Sequence, residues 1–583
     1  MNAALVVLGG LVLYVLAYRI YGRYISEKLF EQNDANPTPA VAMKDDIDYV
    51  PTKPLVLFGH HFASIAGGGP IIGPTVAMLF GYVPVWLWLV FGAIFIGAVH
   101  DLAALFTSVR EKGKSMAEVA EKTLGRAGFM MFVAFTIVSL LLVTSAFLGL
   151  TATALTSMVP LDKLGLDSGQ TLLRTVTGAD GVAKAQIGGV ASTSVIVITS
   201  FAPLLGFLIY RRQINVYLAA LLAVALCVFS VFIGLSFPIT FKPTTWMVIL
   251  CLYTFLAAGI PVWLILQPRD FTNSFLLYAG VASLIIGGIL AGINGLKMDF
   301  PAWNVAQGSA KLGSIWPFLF ITVACGAISG FHSLVAGGTT SKQLGRESDA
   351  RKIAYGGMLL EGLLAIGVLV AIGCGIAFSS YTSIVFPTDP SVKSNPILAF
   401  AMGVGGLLDK TMGIPAAFGC VFGILLVEGF VATTLDTAVR LNRYMFEELW
   451  SFIFGKNVPQ ALKSYLFNAG LCVVLMFALG YTNAFLVIWP IFGSANQLLA
   501  SLALIAISVW LMNRNKRIIF TIVPAIFMMA TTLYSLVLLL FTKYLPKNNY
   551  ALAVMDILLI ALAVGVIVLA IKKMTNMGKA VTA

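Results

Sequence analysis

Apolar runs of roughly twenty residues recur from one end of this chain to the other, and that recurrence leaves little choice of fold. Wound as an α-helix, a run of that length crosses the hydrocarbon of a bilayer. In hydrocarbon only helices and closed barrels satisfy every backbone polar group. Charge is correspondingly scarce: 11% of residues are Asp, Glu, Lys or Arg, where a soluble chain carries about 25%. The polar stretches between runs reach about thirty residues at most, too few for a soluble domain. The expected fold class is all-α, a polytopic helical membrane protein forming one transmembrane domain over 1–583.

About fifteen spans are expected: 3–24, 55–80, 82–107, 128–155, 189–210, 214–236, 246–267, 272–294, 315–344, 353–378, 414–438, 464–482, 484–511, 518–542 and 551–571. The segment 394–412 would put the basic stretch after 438 on the wrong side if it crossed, so it reads as interfacial or re-entrant. With the N-terminus outside, loops assigned inside carry 27 of the 37 Lys and Arg and those outside carry 10. That bias predicts an N-out, C-in topology, and it accounts for the net charge of +12 without a nucleic-acid partner. All six cysteines fall in apolar runs with no CxxC pair and read as buried small hydrophobes. The opening MNAALVVLGG lacks a basic n-region and a small-residue cleavage site, and reads as a retained first helix. On the inner side, Ser115 and Glu118 have capping-box spacing, and Tyr444 to Phe454 reads as an interfacial helix. Outside, 162–188 is a polar loop.

Two spans are interrupted. LVLFGHHFASIAGGGPIIGPTVAMLF (55–80) holds His60, His61, Gly67, Gly68, Gly69 and Pro70 in its middle. Proline removes a backbone donor and glycine leaves helical φ/ψ cheaply, so the helix is expected to break there. Backbone freed in a membrane must be satisfied by protein or a wet cavity, and such a break usually marks a transport site. The segment 315–344 repeats the pattern: His332-Ser-Leu-Val-Ala-Gly-Gly338 matches His61-Phe-Ala-Ser-Ile-Ala-Gly-Gly68 with one gap. As second and ninth spans the two run in opposite directions. Spans two to six (55–236) and nine to thirteen (315–511) then form two five-helix inverted repeats, each opening with a broken helix. Residues 1–54, 237–314 and 512–583 are additional. That is the arrangement of the amino-acid/Na⁺ symporter type of fold, where half-helix N-termini face an anionic substrate and freed carbonyls bind a cation.

The candidate substrate-binding residues are His60, His61, Ser64, Gly67, Gly68, Gly69, His332, Ser333, Ala336, Gly337, Gly338, Thr339 and Thr340. The site is expected where the unwound 67–69 and 336–340 backbones meet. Ionisable residues inside a membrane are costly, so the few present are candidates for proton or cation coupling. They are Glu428, which lies mid-span, and Asp101, Glu361 and Asp436, which lie nearer the inner ends, where loop Lys or Arg would pair with them. Thr433 and Thr434 could donate to a cation site, or bond their own i−4 carbonyls. His100 and Asp101 fit a structural hydrogen-bonded pair. Ser494, Asn496 and Gln497 line a cavity or join helices. No resident metal or cofactor is expected, with H⁺ or Na⁺ as the coupling ion. A metal-binding alternative would use His60, His61 and His332. Neither a complete phosphate-binding loop nor an H-E-x-x-H or G-x-S-x-G motif occurs, so ATP is not expected to drive the protein.

The stretches GHHFASIAGGGPIIGP (59–74), FHSLVAGGTTSKQL (331–344), TTLDTAVRLNRY (433–444) and WPIFGSANQLLA (489–500) resemble the signature stretches of the carbon starvation protein A family. The resemblance spans nearly the whole chain. It implies a transporter of the prokaryotic cytoplasmic membrane that takes up peptides or pyruvate with protons. It also implies distant kinship with the amino acid–polyamine–organocation superfamily.

Overall fold

The protein is described by a computed structural model covering residues 2–45, 48–167, 169–178, 181–389, 394–482 and 485–582. Its long helices, numbered here with short turns left out, open with α1 (Ala3–Leu29), α2 (Pro54–Ile65), α3 (Gly69–Phe80), α4 (Tyr82–Arg110), α5 (Met116–Leu124) and α6 (Arg126–Leu155). Then come α7 (Ile187–Arg211), α8 (Val216–Ser236), α9 (Pro243–Gly259) and α10 (Leu266–Ile293). The second half holds α11 (Ile315–Thr322), α12 (Phe331–Gly338), α13 (Arg351–Gly375), α14 (Pro396–Met412) and α15 (Ala416–Phe454). The chain closes with α16 (Tyr465–Thr482), α17 (Phe485–Met512), α18 (Ile519–Tyr544) and α19 (Tyr550–Thr582).

Among the described residues twelve helices are long and apolar enough to cross a membrane, and the bent pair α2–α3 makes thirteen if taken as one span. The two remaining expected spans are α9, which is 17 residues long, and the segment 315–344, which folds as two eight-residue helices. Central and peripheral helices separate by burial. In α13 and α17, 94% of the apolar window is buried, against 33% in α1 and 28% in α19, whose remaining apolar surface is left for lipid. At the centre α6 packs on α15 and α17, α13 on α3 and α14, and α10 on α2.

Local chemistry sets the helix ends. The Asn2 side chain caps α1 by accepting from Ala4 N at 2.8 Å, and its amide donates to Gly292 O at 3.0 Å, tying α1 to α10. The capping box is present: Ser115 Oγ accepts from Glu118 N at 3.2 Å, and Glu118 Oε2 accepts from Ser115 N at 3.0 Å. The polar loop 162–188 is not wholly irregular, since Val159–Pro160, Thr175–Thr177 and Ala183–Ala185 pair as a small antiparallel sheet with the third strand central.

Three expectations change. Tyr444–Phe454 is not a separate interfacial helix. It continues α15, 39 residues long and so roughly 58 Å, because nothing breaks the helix before Gly455, at φ 57°. The stretch 394–412, expected to be interfacial or re-entrant, is drawn inward: Ile397, Phe400, Val404, Leu407 and Leu408 of α14 are buried in the bundle, which counts against the interfacial reading and leaves the re-entrant one. Finally, α10 begins at Leu266, so Pro268-Arg269-Asp270 belongs to its buried first turns rather than to a loop. Proline is tolerated there because a first-turn N–H has no partner within the helix.

Candidate functional site

The first break falls at residues 66–68. Ala66 leaves the helix at φ −77°, ψ 44°, and α2 and α3 meet at 42°. Thr434 of α15 faces this break, its hydroxyl 3.1 Å from Ser64 O and 3.0 Å from its own Phe430 O. Thr433, by contrast, bonds only Gly429 O, at 2.8 Å, one turn back along its own helix. A Cβ built on Gly67 would stand 2.7 Å from the Thr434 hydroxyl, so only glycine lets α15 come this close. Ser64 Oγ is buried without a partner.

The second break is displaced from its expected place. Ala336, Gly337 and Gly338 are helical, and the unwound stretch is 323–330, between α11 and α12. Side-chain amides of α17 replace the missing helical bonds there. Asn496 Oδ1 accepts from Phe331 N at 2.9 Å, Asn496 O accepts from Gly330 N at 2.9 Å, and Asn496 Nδ2 donates to Ser329 Oγ at 2.9 Å. Gln497 Nε2 donates to Phe320 O at 2.8 Å. Asn496 thus satisfies buried unwound backbone at 330–331 and Gln497 the end of α11, while Ser494 joins α17 to Ser535 at 2.8 Å. The two breaks meet: a Cβ on Gly69 would lie 2.3 Å from Cys325 Sγ. The contact is between α3 and residues 322–325, with α11 packed on α3 and α12 on α2.

The adjacent histidines diverge. His61 Nδ1 lies 2.8 Å from Thr340 Oγ1, which joins α2 to the turn after α12. His60 Nδ1 lies 2.9 Å from Asp270 Oδ2 and opens a cluster of buried charge. In that cluster Arg269 Nη2 donates to Asp270 Oδ1 at 2.8 Å, Arg269 Nη1 pairs with Asp436 and meets the Tyr253 hydroxyl, and Tyr253 donates to Asp436 at 2.7 Å. Arg269, Asp270 and Asp436 have no solvent exposure. A second cluster surrounds His332. Asp101 accepts from His332 Nδ1 and His100 Nδ1, both at 2.8 Å, and Glu361 Oε2 stands 3.3 Å from His332 Nε2. His100–Asp101 is therefore the hydrogen-bonded pair expected. Asp101 and Glu361, however, pair with histidine and not with loop Lys or Arg, because burial puts solvated cations out of reach.

The remaining candidates scatter. Ser333 Oγ and Thr339 Oγ1 bond Gly330 O and Val335 O within their own turn, at 2.7 and 2.9 Å. Gly337 and Gly338 line a cavity of about 660 Å³ with Tyr49, Lys342, Tyr444 and Glu448. Glu428 lies apart from both breaks, in a pocket of about 210 Å³ shared with Tyr253 and Arg269, and its Oε1 has no partner. The Nδ1 atoms of His60, His61 and His332 face Asp270, Thr340 and Asp101 separately, and among the described residues no group of three His, Cys, Asp or Glu could hold an ion.

Arg269, Asp270 and Tyr253 are the residues sequence reasoning missed. The available signal was an Arg-Asp pair in the four residues between two apolar runs, too short a gap to hold both groups in water.

A family profile described as carbon starvation protein CstA matches residues 2–389 and 375–535. The chain belongs to the carbon starvation protein CstA family. A peptide transporter CstA of Bacillus subtilis is 32% identical over 99% of this chain and 98% of its own length. The pyruvate/proton symporter BtsT of Escherichia coli is 32% identical over 93% of this chain and 82% of its own. A manganese transporter structure from Eremococcus coleocola overlaps 92% of this chain and 99% of its own at 13% identity and TM-score 0.46, a likeness too distant to bear on function. As a CstA-family member with a dozen or more membrane-length helices, the chain is a multi-pass membrane transporter of a small molecule and not an enzyme.

Proposed function

We propose that this CstA-family protein is a secondary active symporter that imports a small carboxylate-bearing nutrient, a peptide or pyruvate, together with a proton. The observation that supports this most is the meeting of two broken segments beside buried, protonatable side chains. Backbone N–H groups at the breaks, with His61 and His332, would receive the carboxylate, since half-helix N-termini present positive dipole ends. The paired segments would be the first helices of two inverted repeats, 55–236 and 315–511. The protein would lie in the bacterial inner membrane with its N-terminus outside. The 660 Å³ cavity beside α5 and the inner end of α15 would then be the cytoplasmic exit.

Sodium is the alternative coupling ion, favoured by the Thr434 hydroxyl on the Ser64 carbonyl. The test is uptake of labelled pyruvate and of a labelled dipeptide into proteoliposomes under an imposed pH or Na⁺ gradient. Accumulation above equilibrium under the pH gradient, abolished by a protonophore, is the expected result. Failure to accumulate either compound under either gradient would refute the symporter.

A further inference from the structure

The Arg269 cluster has an odd charge count. Arg269 contributes one permanent positive charge, and Asp270 and Asp436 contribute two negative ones, all without solvent exposure. A net charge held in low dielectric is costly, and it is relieved by binding one cation or one proton. The geometry supplies a place for the proton, because His60 Nδ1 sits 2.9 Å from the Asp270 oxygen that Arg269 does not engage. His60 Nε2 is buried without a partner, so the ring has a free nitrogen on its far side.

The cluster is also mechanically placed. His60 is one turn before Ser64, whose carbonyl meets Thr434, and Asp436 follows Thr434 by two residues. Helices α10 and α15 thus hold the first half-helix on successive turns just before its break. Glu428 lines a pocket of about 210 Å³ with Arg269 and Tyr253, and no hydrogen bond or ion pair joins it to His60 or Asp270. From α8, Cys227 reaches α10 at Thr272 O, 3.2 Å away, and Arg440 of α15 turns to Ala257 O at 3.1 Å, outside the cluster.

We propose that His60, Asp270, Arg269 and Asp436 form a one-proton site, and that its occupancy decides whether α2 stays tethered to α10 as the transporter changes face. This rests on the proton-symport reading above. Asp270 holds the proton with His60, Arg269 fixes the cluster at one vacancy, and release of the proton weakens the α2–α10 tether. The coupling proton therefore sits on the shared face of α2, α10 and α15, not on Glu428.

The test is the number of protons moved per substrate molecule in proteoliposomes containing a pH dye, with pyruvate or a dipeptide, whichever the wild type accumulates. A wild type that accumulates nothing under a pH gradient refutes the symport reading itself. Given a coupled wild type, His60→Asn keeps a donor near the Nδ1 position but cannot titrate. It should still exchange labelled for unlabelled substrate while its proton-to-substrate ratio falls from about one to near zero. Asp270→Asn should do the same, and if it fails to fold, His60→Asn decides. A ratio of one in His60→Asn overturns the proposal. So does loss of exchange in folded His60→Asn, which would put His60 in substrate binding. Uncoupling by Glu428→Gln alone would move the proton to Glu428 and equally overturn it.

Discussion

The two buried clusters are built from the same kinds of group, two carboxylates and histidine, and differ most in one side chain. The His60 cluster contains Arg269, a permanent cation; the His332 cluster has His100 and His332 against Asp101 and Glu361, with every charge set by protons. An arginine stays charged at any working pH, so the first cluster has a fixed electrostatic frame with one open place. The second has no such frame, and one oxygen pair, on Glu361, makes no hydrogen bond. Under the proposed symport, the first would count protons and the second would adjust its charge when an anion arrives nearby.

Substitutions can break that comparison. The largest effect is expected from Arg269→Ala, which strands two buried carboxylates and should cost about 3–5 kcal/mol in thermal unfolding of the purified protein. Adding Asp436→Ala should recover part of that loss; a double variant no better than the single would mean the pair is not the source. Next is Asp101→Ala, which takes the acceptor from two imidazoles at once and should cost about 1–3 kcal/mol in the same assay. A loss exceeding that of Arg269→Ala would reverse the ranking of the clusters.

Smaller effects sharpen the picture. Thr434→Val removes the hydroxyl between α15 and the first break and should cost about 1 kcal/mol. Its uptake should fall by more than that of Thr433→Val, whose hydroxyl bonds only its own helix. Equal uptake in the two would mean that Thr434 has no part in the site. Glu361→Gln should be the mildest, with a smaller unfolding cost than Thr434→Val, since the carboxylate it replaces has no hydrogen bond to lose.

The fold was largely legible because hydrocarbon imposes one rule on every span. Length and polarity alone placed the helices, and the proline and glycines at 67–74 placed the first break. The second break was misplaced by six or more residues, because Gly337 and Gly338 carried the motif while Ser329, Gly330 and Asn496 carry the unwound backbone. Asn496 is 165 residues from Phe331, and no local pattern reveals that pairing. Arg269 and Asp270 were assigned to a loop for a similar reason. A charge between two apolar runs normally marks the membrane surface, and only tertiary contact with Asp436 and His60 draws it inside. The long α15 was missed because an interfacial helix and a helix that simply continues share the same aromatic pattern.

The division of labour between the clusters can be measured directly, by comparing proton-to-substrate ratio and substrate affinity in His60→Asn and His332→Asn in the same proteoliposomes. We predict that His60→Asn loses the proton ratio, while His332→Asn keeps a ratio of about one and binds substrate at least tenfold more weakly. The reverse pattern, or identical behaviour of the two variants, would contradict the assignment of coupling to the first cluster and binding to the second.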